Sequence, residues 1–587
     1  MSESPLVAYM ELLSVKILTD GSELKDEYLL ISAEVERGVS STARATFSIL
    51  LPNESGSNAS FAISSGKDFL PGVSVEIKAG YNAVTETIFR GRIVGHGLQV
   101  QPDRQPVLSV RCQAAASKLT VGKKTATFEG KTDSAVIDDL LAGASLKRTV
   151  EATTYTHPLL IQHRMTDWDF IVSRAAANGM IVYSELGEVF LKAPGTSTPP
   201  KLVVTYGEDV LEFDGEVNAS HQFSAASAAG WDFSTGKLVE AEGEEPSLVN
   251  PGNLEGSELA AETDLGKQQF RTTLPLPESS LRATANAMLL RSRMSAVRGR
   301  VVFYGNATPK INTLIELAGF GDRFNGRALI TGVRHTIIEG HWTTETSFGL
   351  PPDWNAAQAA NPRYSPEEAS QISGLQNGVV LNIHQDPEGH ARIHVNIPAL
   401  DTAVWARQSM LFATQGAGAF FLPDIGDEVL LGFLADDPRF AVVLGSLPGP
   451  GHKSAYSAEE TNKIKALTTR SGLHLEFNDD ERTFSIATPA GNSLVLSEDK
   501  SSVVLTDENG NTVKLDNDGI TLTSTKDIVL KASGKISLKA DQNIEATSSG
   551  GDISLEGSIG IQVKGGASAE LSSGGNTIIE GAMVMIN

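Results

Sequence analysis

Cysteine, basic residues and long apolar runs are scarce in this chain of 587 residues. The single cysteine, Cys112, excludes an internal disulfide framework and a cysteine-based zinc site. With 48 Lys and Arg against 71 Asp and Glu, the net charge of −23 argues against nucleic acid as a partner, because nucleic-acid binding demands a basic surface. No apolar run reaches the roughly 18 residues that a membrane span needs.

Aromatic residues are also few, at 6% of the chain, whereas glycine occupies 55 positions. This composition favours strands and turns over helical bundles, and the length predicts three to five domains of about 100–200 residues each. The N-terminal segment MSESPLVAYMELL lacks the pattern of a signal peptide. We therefore expect a mainly β protein that is synthesised in the cytoplasm.

Two amphipathic patterns interrupt the strand-like first 350 residues. Residues 166–179 predict a helix with Thr166 as its N-cap, followed by a strand hairpin over 180–191. The apolar spacing over 281–299 predicts a second helix that Gly299 closes, and a shorter helix is predicted over 134–142. This region is therefore predicted to be an α+β assembly in which sheets dominate.

One apolar-x-apolar pattern returns with a step of eight residues from Gly519 onward. Alternate residues share one face of a strand, so each unit is a short strand with one apolar face and a polar turn. Eight residues are too few for a solenoid coil of about twenty or more, so several chains must share each coil. We predict an intertwined trimeric β-prism over 519–587, with an ordinary meander of hairpins as the alternative. The predicted trimer core comprises Ile520, Leu522, Ile528, Leu530, Ile536, Leu538, Ile544, Ile553, Leu555, Ile561 and Val563.

The last residues lack the polar turns of the preceding repeats. They are Met583, Val584, Met585, Ile586 and Asn587, and three copies would form an apolar platform with open strand edges. We expect this platform to bind a tip protein by strand addition. The alternative is that these strands simply close the prism.

Residues 416–447 read GAGAFFLPDIGDEVLLGFLADDPRFAVVLGSL. This stretch resembles the oligonucleotide/oligosaccharide-binding (OB) barrel of the VgrG family, the spike proteins of bacterial type VI secretion, and is equally similar to the baseplate hub of contractile phage tails. The segments QHRMTDWDFIVSRAAANGMIVY and GDRFNGRALITGVRHTIIEGHWTTETSFGL resemble the hub of that family, and the repeats resemble its needle. The ending GAMVMIN is most similar to spikes of extracellular injection particles. The barrel signature comprises Trp405, Phe421, Pro423, Gly426, Asp427, Glu428, Asp437, Pro438 and Gly445.

The resemblance implies five segments: a hub-like tube-docking region over 1–350, a linker over 351–373, an OB barrel over 374–450, a neck over 451–518 and a needle over 519–587. It implies a homotrimer that contacts a hexameric inner tube protein and baseplate proteins and carries a PAAR-type tip protein. Such a spike belongs to an injection particle, is ejected on contraction and touches the target membrane only during puncture.

Candidate catalytic and metal-binding groups have simpler explanations. Five potential ligands fall in one short stretch: His384, Asp386, Glu388, His390 and His394. Arg392 lies between two of these histidines and would repel a cation, so we predict a solvated strand and no metal, cofactor or catalytic residue. Two other functions remain open, an envelope-degrading enzyme of the tail-lysozyme type and a receptor-binding trimeric tail fibre.

Overall fold

The computed structural model describes residues 3–5, 11–25, 28–52, 61–102, 104–233, 235–352 and 372–586. Most of the predicted linker over 351–373 and the final Asn587 therefore lie outside the described residues. The chain divides into two compact units, Met1–Lys453 and Ser454–Asn587. Strands dominate both units, in agreement with the mainly β prediction.

The strands of the hub-like region form one large sheet and three small sheets of two or three strands. Its strands are β1 (Leu13–Thr19), β2 (Ser22–Glu23), β3 (Leu29–Gly38), β4 (Arg44–Leu50), β5 (Ser74–Tyr81), β6 (Val84–Gln99), β7 (Val107–Gln113), β8 (Lys124–Thr132), β9 (Lys147–Val150), β10 (Thr156–Met165), β11 (Ile181–Glu185), β12 (Glu188–Lys192), β13 (Val203–Thr205), β14 (Val210–Val217), β15 (Ala225–Asp232), β16 (Lys237–Glu242), β17 (Lys267–Arg271), β18 (Val297–Tyr304), β19 (Leu314–Ala318), β20 (Gly326–Ile338) and β21 (His341–Phe348). The large sheet runs β14-β18-β21-β20-β3-β4-β7-β6-β5-β1-β2, with β13 and β19 attached at β20.

The two halves of this sheet join where β3 pairs antiparallel with β20, from Gly38 opposite Gly332 to Ser32 opposite Ile338. Each half has its own core, because alternate side chains of each strand point inward. A buried ion pair between Arg37 of β3 and Glu185 of β11 lies beside this junction. The junction therefore links strands that are about three hundred residues apart in sequence.

Five α-helices lie in the described residues: Ala62–Ser65, Asp133–Gly143, Asp167–Ala177, Gly256–Thr263 and Glu278–Met294. Short 3₁₀ helices lie at Lys67–Phe69, Ala115–Thr120, Pro398–Leu400, Leu434–Asp436 and Pro438–Phe440.

The helix predicted over 166–179 is confirmed, since the Thr166 hydroxyl accepts a hydrogen bond from the Asp169 amide at 3.1 Å. The helix predicted over 134–142 and the hairpin over 180–191 are also confirmed. The predicted stop at Gly299 is wrong. The helix ends at Met294, and Gly299 lies inside β18, whose pairing with β14 and β21 overrides the local stop signal.

The barrel predicted downstream is present. Its strands are β22 (Gln376–Asn382), β23 (Ile393–Ile397), β24 (Thr402–Gln408), β25 (Ala413–Thr414), β26 (Ala417–Gly418), β27 (Glu428–Phe433) and β28 (Ala441–Ser446). Five of them close in the order β22-β23-β24-β28-β27, while β25 and β26 form a separate hairpin. Leu159 of β10 packs against the barrel core, so the hub region and the barrel contact each other directly.

The second unit contains one antiparallel sheet in which consecutive strands are neighbours. Its strands are β29 (Ile464–Thr468), β30 (His474–Asn478), β31 (Thr483–Ala487), β32 (Ser493–Ser497), β33 (Ser502–Thr506), β34 (Thr512–Asp516) and β35 (Gly519–Thr523). Ile520 and Leu522, the first predicted core positions, thus lie in a meander. The described residues after Thr523 form no further strand within one copy.

Candidate functional site

The sheet β29–β35 concentrates its large apolar side chains on one face. Residues two apart on a strand, and residues directly opposite on neighbouring strands, share a face. For example, Phe477 lies opposite Phe484, and Leu475 lies opposite Ile486. The apolar face comprises Leu467, Leu475, Phe477, Phe484, Ile486, Leu494, Leu496, Val503, Leu505, Val513, Leu515, Ile520 and Leu522. The other face carries mainly small or polar residues such as Ser485 and Thr521.

No residue that the structure describes in a single copy covers this apolar face. None of its side chains is buried, and Leu505 and Ile520 are 51% and 72% exposed. A contiguous apolar surface of this kind is typical of an interaction site, because leaving it in water forgoes the stabilisation that burial gives. The apolar face is therefore a candidate interface.

The predicted core positions beyond β35 do not come together within one copy. Ile528, Leu530, Ile536, Leu538, Ile544, Ile553, Leu555, Ile561 and Val563 are each more than half exposed. Residues 527–586 form no backbone-to-backbone hydrogen bond among themselves or with other described residues. Main-chain donors and acceptors are normally paired in strands, so this segment lacks its partners in the isolated chain.

The predicted tip platform is also open. Met583, Met585 and Ile586 are largely exposed and Val584 is about half exposed, while Asn587 lies outside the described residues.

Several of the barrel signature residues make hydrogen bonds that position the barrel strands. Gly426 adopts a φ of +94°, and its amide donates to the Val380 carbonyl at 2.8 Å. The Asp427 carboxylate accepts from the Asp424 amide at 2.9 Å, and Glu428 accepts from the Asn377 side chain at 2.8 Å. These contacts fix the start of β27 against β22 and supply no reactive group.

The remaining signature residues are spread over the barrel. Trp405 stacks on His394 with ring centroids 4.7 Å apart. Pro423 is buried, whereas Phe421 is 68% exposed and lies outside the core. Gly445 lies in β28 beside a register shift between Leu430 and Leu431.

Asp437 and Pro438 lie just before the last barrel strand, and Asp437 is part of a buried cluster that reaches the hub region. The buried Asp437 carboxylate accepts from the amide and guanidinium of Arg439, at 3.0 and 2.5 Å. The Arg439 guanidinium donates in turn to His157 Nδ1 of β10 at 3.4 Å. His157 Nε2 donates to Asp133 Oδ2 at 3.0 Å.

Asp133 is the most heavily bonded carboxylate of this buried cluster. Arg174 donates to it at 2.5 and 3.1 Å, and the Asn178 amide donates at 2.9 Å. Burial alone would raise the pKa of Asp133, but Arg174 and the hydrogen bond from His157 hold that pKa well below its usual range. Burial lowers the pKa of His157, and the neutral ring accepts from Arg439 at Nδ1 and donates to Asp133 at Nε2. The cluster fixes the barrel on the hub region.

The solvated strand predicted for the histidine-rich stretch is wrong for residues 384–392, which form a surface turn, and only His394 lies in a strand, β23. Asp386 accepts two hydrogen bonds from the Arg392 guanidinium, at 3.1 and 2.7 Å, and His390 lies 3.2 Å from Glu388. The hydrogen bonds from Arg392 lower the pKa of Asp386. Across the described ranges, no group of three or more His, Cys, Asp or Glu is arranged to hold a metal ion.

Two features escape the reading of the sequence. The apolar pairs start at Leu475, well before Gly519, but their steps of nine and ten residues differ from the eight-residue repeat. The apolar pairs recur every 19 residues, from Leu475 to Leu494 and Val513, so a search for the eight-residue period misses them. The cluster around Asp133 joins residues that are far apart in the sequence. Its only signal in the sequence is Arg174, a charged residue within the apolar pattern of the helix that Thr166 caps.

The two-part β hub, the closed five-stranded barrel and the one-sided sheet are the features of this chain that are compared with known proteins. The family model described as the Alg8 N-terminal domain matches residues 9–339, which is more than half of the chain, so the chain belongs to that family. The model of the type VI secretion system/phage-baseplate injector OB domain matches residues 376–447.

Curated relatives and a solved structure agree with the OB-domain match. The type VI secretion system spike protein VgrG1b of Pseudomonas aeruginosa is 25% identical over 242 residues, covering 38% of this chain and 30% of the relative. VgrG1c of the same organism is 26% identical over 287 residues, covering 43% and 38%. The matches thus span about a third of these curated relatives. A structure of the Francisella PdpA-VgrG complex has a TM-score of 0.52 at 9% identity and covers 88% of both chains, which shows the fold alone.

None of the helices among the described residues has the length and apolar character to cross a bilayer.

Proposed function

We propose that this protein is the central hub-and-spike of a contractile injection machine. Three copies form the spike, the hub region docks on a hexameric inner tube and on baseplate proteins, and the C-terminal end carries a PAAR-type tip that punctures the target envelope. Its role is mechanical and needs no catalytic residue. The assembled particle ejects it on contraction.

The uncovered apolar face of β29–β35 carries this proposal. One sheet offers no second layer, whereas three such sheets around one axis bury each other's apolar faces. Burying a Leu or Phe side chain completely contributes about 1.5–3 kcal/mol, so covering a row of half-exposed side chains in three copies favours association strongly. The same two-residue apolar pairs continue through Ile561 and Val563, which extends the shared core along the tail.

The hub region supports docking on a sixfold partner. Each copy contributes two β halves joined at β3 and β20, so three copies present six β halves. A hexameric tube end offers six equivalent positions, which matches this arrangement.

The two other functions have less support. The described segment between β28, which ends at Ser446, and β29, which begins at Ile464, is far shorter than a lysozyme-type domain. A receptor-binding fibre has no use for a hub region and an injector-type barrel.

The first experiment is the mass of the full chain in solution by light scattering after gel filtration. We expect three times 62.3 kDa. A folded sample with the mass of one chain would refute the proposed trimeric spike. Particles made without this protein should not assemble, whereas a fibre would leave assembled particles that fail to adsorb, and an enzyme would clear peptidoglycan.

The tip is tested separately by capture of a purified PAAR-type protein on the full chain. Met585→Asp should abolish its capture, because a charge would enter an apolar contact. The matched control Asn576→Asp adds the same charge at a polar position and should retain capture. Equal capture by both variants would contradict the platform.

A further inference from the structure

The first unit contains a cavity of about 600 Å³ between the hub region and the outside of the barrel. The hub region lines it with residues of β10, with the end of β15 and the turn after it, and with the segment that leads into the helix Glu278–Met294. The barrel lines it with residues of β24 and of the 3₁₀ helices that precede β28. Small-molecule sites typically have volumes of about 300–1,000 Å³, so a small ligand fits here.

The outer face of β24 supplies the barrel wall of this cavity. Ala406 is buried in the barrel core, so the neighbouring side chains of Trp405 and Arg407 point away from the core, and both line the cavity. Phe233 of the hub region faces them. The Arg407 guanidinium lies over the Phe233 ring, 5.0 Å from its centroid, and the His390 ring meets the same ring edge-on at 4.8 Å. A cation is thus held against an aromatic wall.

The walls of the cavity are mainly apolar and rigid. Two further aromatic residues, Tyr155 and Phe440, and three prolines, Pro158, Pro275 and Pro277, line it. Aromatic rings present flat apolar surfaces, and neither they nor proline rings lose much conformational freedom when a ligand is bound. The walls therefore suit a flat apolar body.

One cation of the lining lacks an anion. Arg392 pairs with Asp386 at 2.7 Å, and Arg439 pairs with Asp437 at 2.5 Å. The exposed Arg407 has no ion pair with any carboxylate that the structure describes. A ligand that carries a carboxylate would supply this missing partner.

The acidic residues of the lining are bonded elsewhere. Glu278 pairs at 2.7 Å with Arg282, one turn further along the same helix. Glu388 pairs with Arg392 at 3.2 Å, and Asp232 accepts a hydrogen bond from a neighbouring hydroxyl at 2.8 Å. Because these groups are already bonded, a ligand rich in hydroxyl groups would find few free partners in the cavity.

We propose that this cavity binds a small carboxylic acid with a flat apolar body. The carboxylate pairs with Arg407, whose planar guanidinium donates two parallel hydrogen bonds to one carboxylate. The apolar body lies against Phe233 and Trp405 and contacts the hub region and the barrel together. All these residues belong to one copy, so the inference does not rest on the proposed trimer.

Fluorescence anisotropy of naphthoate, titrated with the full chain, tests the site. We expect saturable binding with a Kd of about 0.5 mM or below. Naphthylmethanol has the same apolar body without the charge and should bind about tenfold more weakly, because the charge-assisted hydrogen bonds are lost. An excess of glucuronate, a carboxylate on a hydroxylated body, should not displace naphthoate.

Two variants separate the ionic contact from the apolar contact. Arg407→Gln should weaken naphthoate binding about tenfold and leave naphthylmethanol binding unchanged. Phe233→Ala should weaken the binding of both probes, because it removes an apolar wall. The matched control Arg104→Gln removes an exposed arginine that does not line the cavity and should change neither.

The absence of saturable naphthoate binding to the unaltered chain would overturn the proposed site. Naphthoate binding that Arg407→Gln leaves unchanged would overturn it as well. Displacement of naphthoate by glucuronate at equal concentration would overturn the apolar class of ligand. The mass of the chain in light scattering measures the proposed trimer separately, so the two proposals fail independently.

Discussion

Placing a carboxylate on the apolar face of β29–β35 tests the shared core most directly. Leu505 is 51% exposed in one copy, so covering its remaining surface contributes about 1 kcal/mol per copy. Leu505→Asp loses this contribution three times and buries three carboxylates, at a cost of several kcal/mol per ion. We expect the trimer to lose roughly 10 kcal/mol or more and to dissociate at micromolar concentration.

The matched control is Val504→Asp, on the same strand and the opposite face. Light scattering and thermal unfolding of both variants at pH 7.5 measure the difference. Acidification to pH 4 should partly restore the Leu505→Asp trimer, because a buried carboxyl takes up a proton. Equal behaviour of the two variants would refute the shared apolar core.

Three further predictions concern stability. Arg174→Met leaves the buried Asp133 carboxylate without its cation and should destabilise the first unit by about 3–5 kcal/mol in chemical denaturation. Burial and the nearby Arg37 lower the pKa of His335 well below 6.5, so the unfolded chain binds a proton first and stability should fall as the pH drops through about 6.5. His335→Gln should flatten that fall in thermal melts. Gly510→Ala places a Cβ at a φ of +84° and should destabilise the second unit by about 1–2 kcal/mol.

Each of these variants has a control. Arg148→Met breaks an exposed pair with Asp138 and should cost less than about 1 kcal/mol. His341 is exposed, so His341→Gln should leave the melting temperature at pH 7.5 nearly unchanged. Gly451→Ala, outside the second unit, adds a Cβ in open space and should be neutral. Equal changes in the free energy of unfolding for a variant and its control would refute the corresponding prediction.

Much of the fold follows from local signals. Alternating residues predict the strands, and Thr166 with Asp169 predicts the capped helix that the structure confirms. The signal of Gly299 fails because pairing with two neighbouring strands places it inside a sheet. Local propensity is overridden wherever tertiary pairing offers more hydrogen bonds.

The candidate interface is only half visible in the sequence. The eight-residue repeat predicts the apolar pairs from Ile528 onward. The pairs around Leu494 are spaced by nine and ten residues, so the repeat does not predict the apolar face that the strand register brings together. The cluster of Asp133, Arg174 and Arg439 depends on three-dimensional contact between the hub region and the barrel. No spacing rule predicts such a contact, because its members come from separate segments.

The pairing of β3 with β20 imposes a delay on the completion of the large sheet during synthesis. Ribosomes add about 5–20 residues per second, so the nascent β3 waits roughly 15–60 seconds for its partner strand. During that interval, Glu34 places negative charge along the open edge and discourages pairing between neighbouring nascent chains, whereas Glu36 lies 2.6 Å from Arg44 of β4. Once β20 emerges, Arg334 lies 3.4 Å from Glu34 and 3.6 Å from Glu36. Glu34, which discourages pairing at the open edge of β3, thus becomes part of the ion pair that joins β3 to β20.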